Sequence, residues 1–238
     1  MLQDGFTSVL QVKTRDELLS EVVRFATDLG FATASAIAVV DRFRGEPEFL
    51  WVNNSPPAAS SEFAEKAEYN RRDPVAQHCK RASVPIVWNQ DTYTAAGEGE
   101  LWESYAHYGF HTGIALALHL PEGRHFFLSV DRDQPLPASS AEITRMVADL
   151  QLFAVHAQDV ALRVLLPSSP QQEIPNLTPR ELESLRWTME GKTAWELGNI
   201  LGISERTAVL HINNATHKLD CINKHQAVLK ALRLGVIR

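Results

Sequence analysis

The sequence predicts an α+β chain, with an N-terminal antiparallel sheet between helical layers and a C-terminal all-α unit. Three observations carry this expectation. Runs rich in small and β-branched residues, such as FATASAIAVVD at 31–41 and GIALALHL at 113–120, alternate with capped segments of helical apolar spacing. The stretch PSSPQQEIPN at 167–176 has three prolines, no aromatic residue and little that can pack, so it reads as a linker. Beyond it, every segment has helical periodicity. The expected units are therefore 1–166 and 177–238, joined by 167–176.

The elements of the first unit follow from local chemistry. Thr14-Arg15-Asp16-Glu17 is a capping box, and Leu18, Leu19, Val22, Val23, Phe25 and Ala26 give its helix an apolar side up to Gly30. FATASAIAVVD and EFLWVNN should form a hairpin through the GEP turn at 45–47. Ser55-Pro56-Pro57 ends that strand, a helix is expected from Ala58 to Tyr69, and Asp73-Pro74 opens another over Val75 to Ala82. VPIVWN is a short strand, TAAGEGE a loop, and Leu101 to Tyr108 a helix ended by Gly109. GIALALHL has two small or apolar sides, which suits an inner strand; Pro121-Glu122-Gly123 turns it into RHFFLSVDRD, its antiparallel neighbour. Ser139-x-x-Glu142 caps a long helix carrying Ile143, Met146, Val147, Leu150, Phe153, Ala154, Val160 and Ala161.

In the second unit Thr178-Pro179-x-Glu181 is a capping box with proline at the first helical position. Leu182, Leu185, Arg186 and Met189 are expected on the inner side, and Gly191 ends the helix. A shorter helix from Thr193 to Leu201 places Ala194, Leu197, Ile200 and Leu201 inward. Gly202-Ile203-Ser204 is then a tight turn whose serine caps a helix from Glu205 to Leu219. Two helices joined so tightly match a helix-turn-helix, whose second helix enters the DNA major groove. Arg206, Asn213, Asn214 and Lys218 supply its polar side, while Ala208, Ile212, Ala215 and Leu219 can face the core. A last short helix lies in NKHQAVLKALRLGVI, with Ala227, Val228, Ala231, Leu232 and Leu234 along it, and it could pack on the unit or pair with a second copy.

Composition sets the class. With 45% hydrophobic and 22% charged residues, the 238-residue chain resembles an ordinary globular protein rather than a disordered one. No apolar run approaches the roughly 20 residues that cross a bilayer, and MLQDGFTSVL lacks the features of a signal peptide, so a cytoplasmic location and no membrane partner are expected. The net charge of −6 divides unevenly: 177–238 holds nine basic and six acidic residues, a +3 balance that leaves −9 upstream. Such asymmetry suits a chain whose tail alone meets phosphate, and the modest +3 suggests that tight binding needs two copies. Cys79 and Cys221 are the only cysteines and are expected to be reduced, packed thiols. His107 and His111 are four apart, but Gly109 interrupts the helix that would align them, so neither a metal site nor a cofactor is expected.

LTPRE, GKT, ISERT, HI and KL in the tail closely resemble the DNA-binding domain of LuxR-type regulators, with Glu181, Leu185 and Gly191 at recurrent positions. DPVAQHC at 73–79, PIVW at 85–88, Trp102 and Gly113 resemble the acyl-homoserine-lactone receptor domain of quorum-sensing members. The resemblance implies a dimeric transcription factor on an inverted-repeat site, with a small molecule enclosed between sheet and helices. It further implies that Asp73 accepts the ligand's amide N–H, that Ser129 donates to the amide carbonyl, and that Trp88 walls the lactone. Tyr93, Leu101, Trp102 and Phe110 would line the head-group end. On the DNA side, Arg206, Val209 and Asn213 would face base edges, with Asn214 and Lys218 nearer the backbone; Val209 stands where relatives often have a polar residue and suits a thymine methyl.

There are departures. The tryptophan that donates to the lactone carbonyl in relatives, and the tyrosine four residues later, correspond by counting back from Asp73 to Ser60 and Ala64, and an upstream tyrosine to Pro56. Ser60 can still donate but cannot fill an indole's volume. The pocket is then wider, rearranged, or built for something other than a plain acyl-homoserine lactone. Simpler readings stand beside these: Asp73 as N-cap, Trp88, Tyr93 and Trp102 as core or rim aromatics, and Ser129 bonded to backbone. A ligand-independent regulator, or a partner that inactivates relatives through mixed dimers, is the second functional reading. Ser129, His125 and Asp131 lie close together, but neither a GxSxG elbow nor an HExxH pair is present, so no catalytic residue and no enzyme is expected.

Overall fold

The computed structural model describes residues 6–41, 47–65, 69–166 and 175–237. The described chain divides into two compact units, one built on a sheet and the other on the last four helices. In the first, α1 (Arg15–Asp28) is capped by Thr14, whose hydroxyl accepts from Glu17 N. Then follow β1 (Thr33–Val40), β2 (Glu48–Asn53), α2 (Pro57–Glu65), α3 (Tyr69–Arg72), α4 (Pro74–Arg81), β3 (Ile86–Trp88), α5 (Gln90–Ala95) and α6 (Gly99–Ala106). β4 (Thr112–Leu120), β5 (Arg124–Arg132) and the long α7 (Ser140–Leu165) complete it.

The five strands run β2-β1-β5-β4-β3, every neighbour antiparallel. Both expected hairpins form, and GIALALHL is an inner strand, although β5 takes the middle place. Side chains alternate between two faces. One face presents Ala34, Ala36, Ala38, Ile114, Leu116, Phe126, Leu128 and Val130 to Leu18, Val22 and Phe25 of α1 and to Leu150, Phe153 and Ala154 of α7. Phe25 and Phe153 stack with ring centroids 4.1 Å apart. The opposite face carries Trp88, Ala115, Ala117 and Phe127 beneath Ala59, Val75, Cys79, Tyr93, Leu101 and Phe110. Helices thus cover both sides of the sheet, the α-β-α layering expected.

Some elements differ from expectation. The predicted Ala58–Tyr69 helix stops at Glu65 within the described residues, and a separate short helix spans Tyr69–Arg72. The loop expected over 94–100 is partly helical, because Asn89 and Thr92 form a reciprocal capping box that starts α5. Asparagine and threonine satisfy the same orphan donors as the serine–glutamate pattern, but in a less familiar guise. A 3-10 turn at Ser8–Gln11 was not anticipated. The linker's residues 167–174 lie outside those described.

The second unit holds α8 (Pro179–Met189), α9 (Ala194–Leu201), α10 (Glu205–Lys218) and α11 (Lys224–Arg233). Leu185, Ala215, Leu219, Ala227 and Ala231 are fully or almost fully buried at its centre. Two assignments of face are corrected: Arg186 and Ile200, expected inward, are exposed, and Ser184, Thr188 and Gly198 take the inner positions instead. At Gly198 the small residue wins because neighbouring backbone approaches too closely for a long side chain. A Cβ at Gly198 would lie 2.8 Å from the carbonyl oxygen of Ile203, the residue that turns the chain into α10.

Candidate functional site

The second face of the sheet gathers the polar groups. Asp73 ends α3 and caps α4: its Oδ1 accepts from Val75 N at 2.8 Å and Ala76 N at 3.2 Å, with Pro74 at the first helical position. The cap reading is therefore realised, but it does not exhaust this carboxyl. Tyr93 Oη donates to Oδ1 at 3.3 Å and Tyr105 Oη to Oδ2 at 2.9 Å. Burial pushes Asp73 above the ordinary carboxylate range, outweighing the donors that pull it down. The neighbouring Arg72 holds Glu98 at 2.6 Å, tying this corner to the start of α6. Tyr108 Oη donates to Glu62 Oε2 at 2.7 Å and fastens α2 over the same face.

Strand register supplies the rest. Trp88 pairs with Gly113, Gly113 with Asp131, and Ala115 with Ser129, so Trp88, Ser129 and Asp131 share this face. Gly113 makes that possible. A Cβ there would stand 2.5 Å from Val130 O, 2.8 Å from Asp131 Oδ1 and 2.8 Å from the Trp88 ring. Trp88 and Tyr93 meet edge to face at 5.8 Å, and Tyr93 meets Tyr105 likewise at 5.9 Å. Burial, with a smaller contribution from the Asp73 charge, raises Asp131 to about 7, against the pull of Ser129. The same causes push the Cys79 thiol up to about 12, so it is an inert packed thiol.

Of the eight expected ligand residues, Asp73, Trp88, Tyr93 and Ser129 stand together around Gly113 or the Asp73 carboxyl. Leu101 and Phe110 are buried in the same cluster and Trp102 packs against it. The Trp102 indole N–H donates to His111 O at 3.1 Å, so it is spent on backbone. Ser60 is elsewhere: half-buried, it lines a depression with Arg15, Trp51, Val52 and Asn53. The side chain of Ala64 lies outside those described, and Pro56 is exposed. Tyr105 and Asp131 were missed as members of this cluster. Asp131 had a signal, an acidic residue two positions after Ser129 and so on the same face of the strand; Tyr105 lies 32 residues from Asp73 and had none.

In the second unit Gly202 adopts φ 68°, left-handed, and closes α9; Ser204 Oγ then accepts from Thr207 N at 3.1 Å to start α10. With Ala208, Ile212 and Ala215 buried, Arg206, Val209 and Asn213 run along the exposed side at helical spacing, with Asn214 exposed beside them. Lys218 differs. Its ammonium meets Glu181 Oε2 at 2.8 Å and Asn176 O at 3.2 Å. Glu181 also accepts from Thr178 N at 2.8 Å while Thr178 Oγ1 accepts from Glu181 N at 3.3 Å. Burial opposes the Glu181 charge, but Lys218 and Thr178 outweigh it and hold the carboxyl below its ordinary range.

Comparison with known proteins agrees with this layout. Residues 14–161 match the autoinducer binding domain, and residues 175–231 match the bacterial regulatory proteins of the luxR family. The chain is similar to the transcriptional activator protein AnoR of Acinetobacter nosocomialis, 30% identical across 99% of this chain and 98% of that protein. It is 31% identical to RpaR of Rhodopseudomonas palustris, a quorum sensing-dependent transcriptional regulator, over 93% of this chain and 88% of that one. The crystal structure of Escherichia coli SdiA superposes with a TM-score of 0.73 at 27% identity, covering 100% of this chain and 98% of SdiA. SdiA in complex with octanoyl-rac-glycerol gives the same TM-score of 0.73 at 28% identity, covering 100% and 95%. The chain belongs to the LuxR family of regulators, with an autoinducer-binding domain followed by a DNA-binding helix-turn-helix domain, and it is a transcription regulator rather than an enzyme.

Proposed function

We propose that this chain is a cytoplasmic transcriptional activator that binds an acyl-homoserine lactone, or a related acylated small molecule, on the Asp73 face of its sheet. The observation that carries the reading is the set of polar groups drawn together within an aromatic shell, Tyr93 buried and Asp73, Tyr105, Ser129 and Asp131 half-buried around Trp88. Pockets that hold small molecules combine apolar walls with a few convergent polar groups. Asp73 receives the ligand's amide N–H, replacing the long 3.3 Å bond from Tyr93, and Ser129 donates to the amide carbonyl. Trp88, Tyr93, Leu101, Trp102 and Phe110 form the walls at the head-group end. The names of AnoR as an activator and of SdiA with octanoyl-rac-glycerol support the sign of regulation and an acyl chain as the ligand's apolar part.

The bound protein acts as a homodimer on an inverted repeat, with α10 of each copy in the major groove. Arg206, Val209 and Asn213 meet base edges, Asn214 lies toward the backbone, and Lys218 sets the helix on α8 through Glu181. The domains are 1–166 and 177–238, with 167–176 as the linker. Melting the full chain with N-acyl-homoserine lactones of increasing length tests the sensor: a ligand at a hundredfold excess over Kd stabilises by about 2.7 kcal/mol. If no lactone or acylated relative moves the melting temperature, the ligand-independent alternative holds. Selection of binding sites from random DNA tests the output, and a selected sequence without twofold symmetry would exclude the symmetric dimer.

A further inference from the structure

Asp73 and Asp131 occupy one face, yet their bonding differs. Asp73 accepts four hydrogen bonds, two from backbone and two from tyrosine hydroxyls. Three of these bonds fall on Oδ1 and one on Oδ2, so neither oxygen of Asp73 lacks a donor. Asp131 accepts one side-chain bond, from Ser129 Oγ at 3.4 Å, close to the limit for such a contact. Asp131 is half-buried, so its carboxyl is neither sealed in the core nor free in bulk solvent. No lysine or arginine bonds to either carboxyl within the described residues. A half-buried carboxyl with acceptor sites left over gains from a donor that reaches it.

The place of that donor is fixed by the sheet. Asp131 Oδ1 and the Trp88 ring both crowd the space above Gly113, two residues along the same β4–β5 ladder from the Ala115–Ser129 pair. We propose that Asp131 is a ligand-contacting, specificity-determining residue that accepts a hydrogen bond from the ligand's head group. The ligand is then an acyl amide whose head group carries a donor of its own, a hydroxyl or a protonated amine. A plain lactone ring has only acceptors and leaves Asp131 unsatisfied. The inference rests on the reading that this face encloses an acylated small molecule.

The test uses the full-length protein and a matched set of amides: N-propyl, N-(2-hydroxyethyl) and N-(2-aminoethyl) octanamide, with N-octanoyl-homoserine lactone alongside. All share the acyl chain and amide N–H, and the first three differ only in a terminal methyl, hydroxyl or ammonium. Calorimetric titration should give a donor-bearing amide about tenfold tighter than the propyl amide. Which donor wins separates the hydroxyl from the ammonium. Asp131→Asn should erase an ammonium advantage and keep part of a hydroxyl advantage, because its carbonyl still accepts; Asp131→Ala should erase both. Equal affinity for the three amides in the wild type, or a preference that survives Asp131→Ala, overturns the proposal while leaving the sensor intact. If neither lactone nor amide binds the wild type, the sensor reading fails and this inference with it.

Discussion

The two units each draw carboxyl groups away from solvent, fully in the helical unit and partly in the sheet unit, and they treat them in opposite ways. In the DNA-binding unit Glu181, 3% exposed, meets Lys218 and the backbone of Thr178, and its proton affinity falls. In the sheet unit Asp73 and Asp131 meet hydroxyls and backbone N–H groups but no cation, and their proton affinity rises. A buried charge answered by its own chain holds helices together. One left partly unanswered costs stability, and it is retained where something else will answer it.

The largest expected effect separates the two kinds directly. Asp131 in the folded chain sits near 7, above its unfolded value of about 3.9, so the folded state keeps a proton that the unfolded state has lost. Stability should therefore fall as pH rises from about 4 to about 7, by at most about 4 kcal/mol, and level off above that. Asp73 is shifted in the same direction, so Asp131→Asn should flatten the slope without abolishing it. Glu181 carries the opposite sign: its contribution is complete above about 4.3 and is lost as pH falls through its lowered folded value. Denaturant unfolding at a series of pH values reads both.

Next in size is Gly113→Ala. The new methyl meets Val130 O at 2.5 Å, which is backbone and cannot swing away, so the sheet should lose about 1–3 kcal/mol. The same methyl displaces Trp88 and Asp131, so ligand stabilisation should vanish even at a temperature where the variant is folded. Glu181→Ala removes a capping bond and one ion-pair partner, costing about 2 kcal/mol; the figure is moderate because the Lys218 it strands is 38% exposed. That loss should leave ligand binding unchanged. Asn213→Ala, on the exposed side of α10, should leave stability within about 0.5 kcal/mol and weaken DNA binding by about 1–3 kcal/mol, relaxing sequence preference at one position. A gel-shift titration against the selected operator measures it.

Legibility in the sequence follows the range of the interactions. The caps at Thr14, Ser139, Thr178 and Ser204 act over three residues and were read correctly, as was the antiparallel pairing of β1 with β2 and of β4 with β5, although most of the GEP turn expected between β1 and β2 lies outside the described residues. Asp73 was legible through its Asp-Pro neighbourhood. Asp131 was legible only as an acidic residue two positions after Ser129; its place opposite Gly113 on the neighbouring strand is a register that only the folded sheet sets. Tyr105 reaches Asp73 through tertiary packing alone. Ile200 looked like an inner residue by spacing, but the close return of Ile203 onto Gly198 turns α9 so that a glycine, not an isoleucine, faces inward.

The central claim is that the carboxyls on the sheet, which no cation among the described residues meets, form the input, and the cation-paired one only holds the output unit together. Melting curves of the full chain with and without N-octanoyl-homoserine lactone, for the wild type, Asp73→Asn and Glu181→Ala, test it together. The account predicts a ligand-induced rise in the wild type and in Glu181→Ala, and none in Asp73→Asn. An equal rise in Asp73→Asn, or a rise abolished by Glu181→Ala instead, would contradict it.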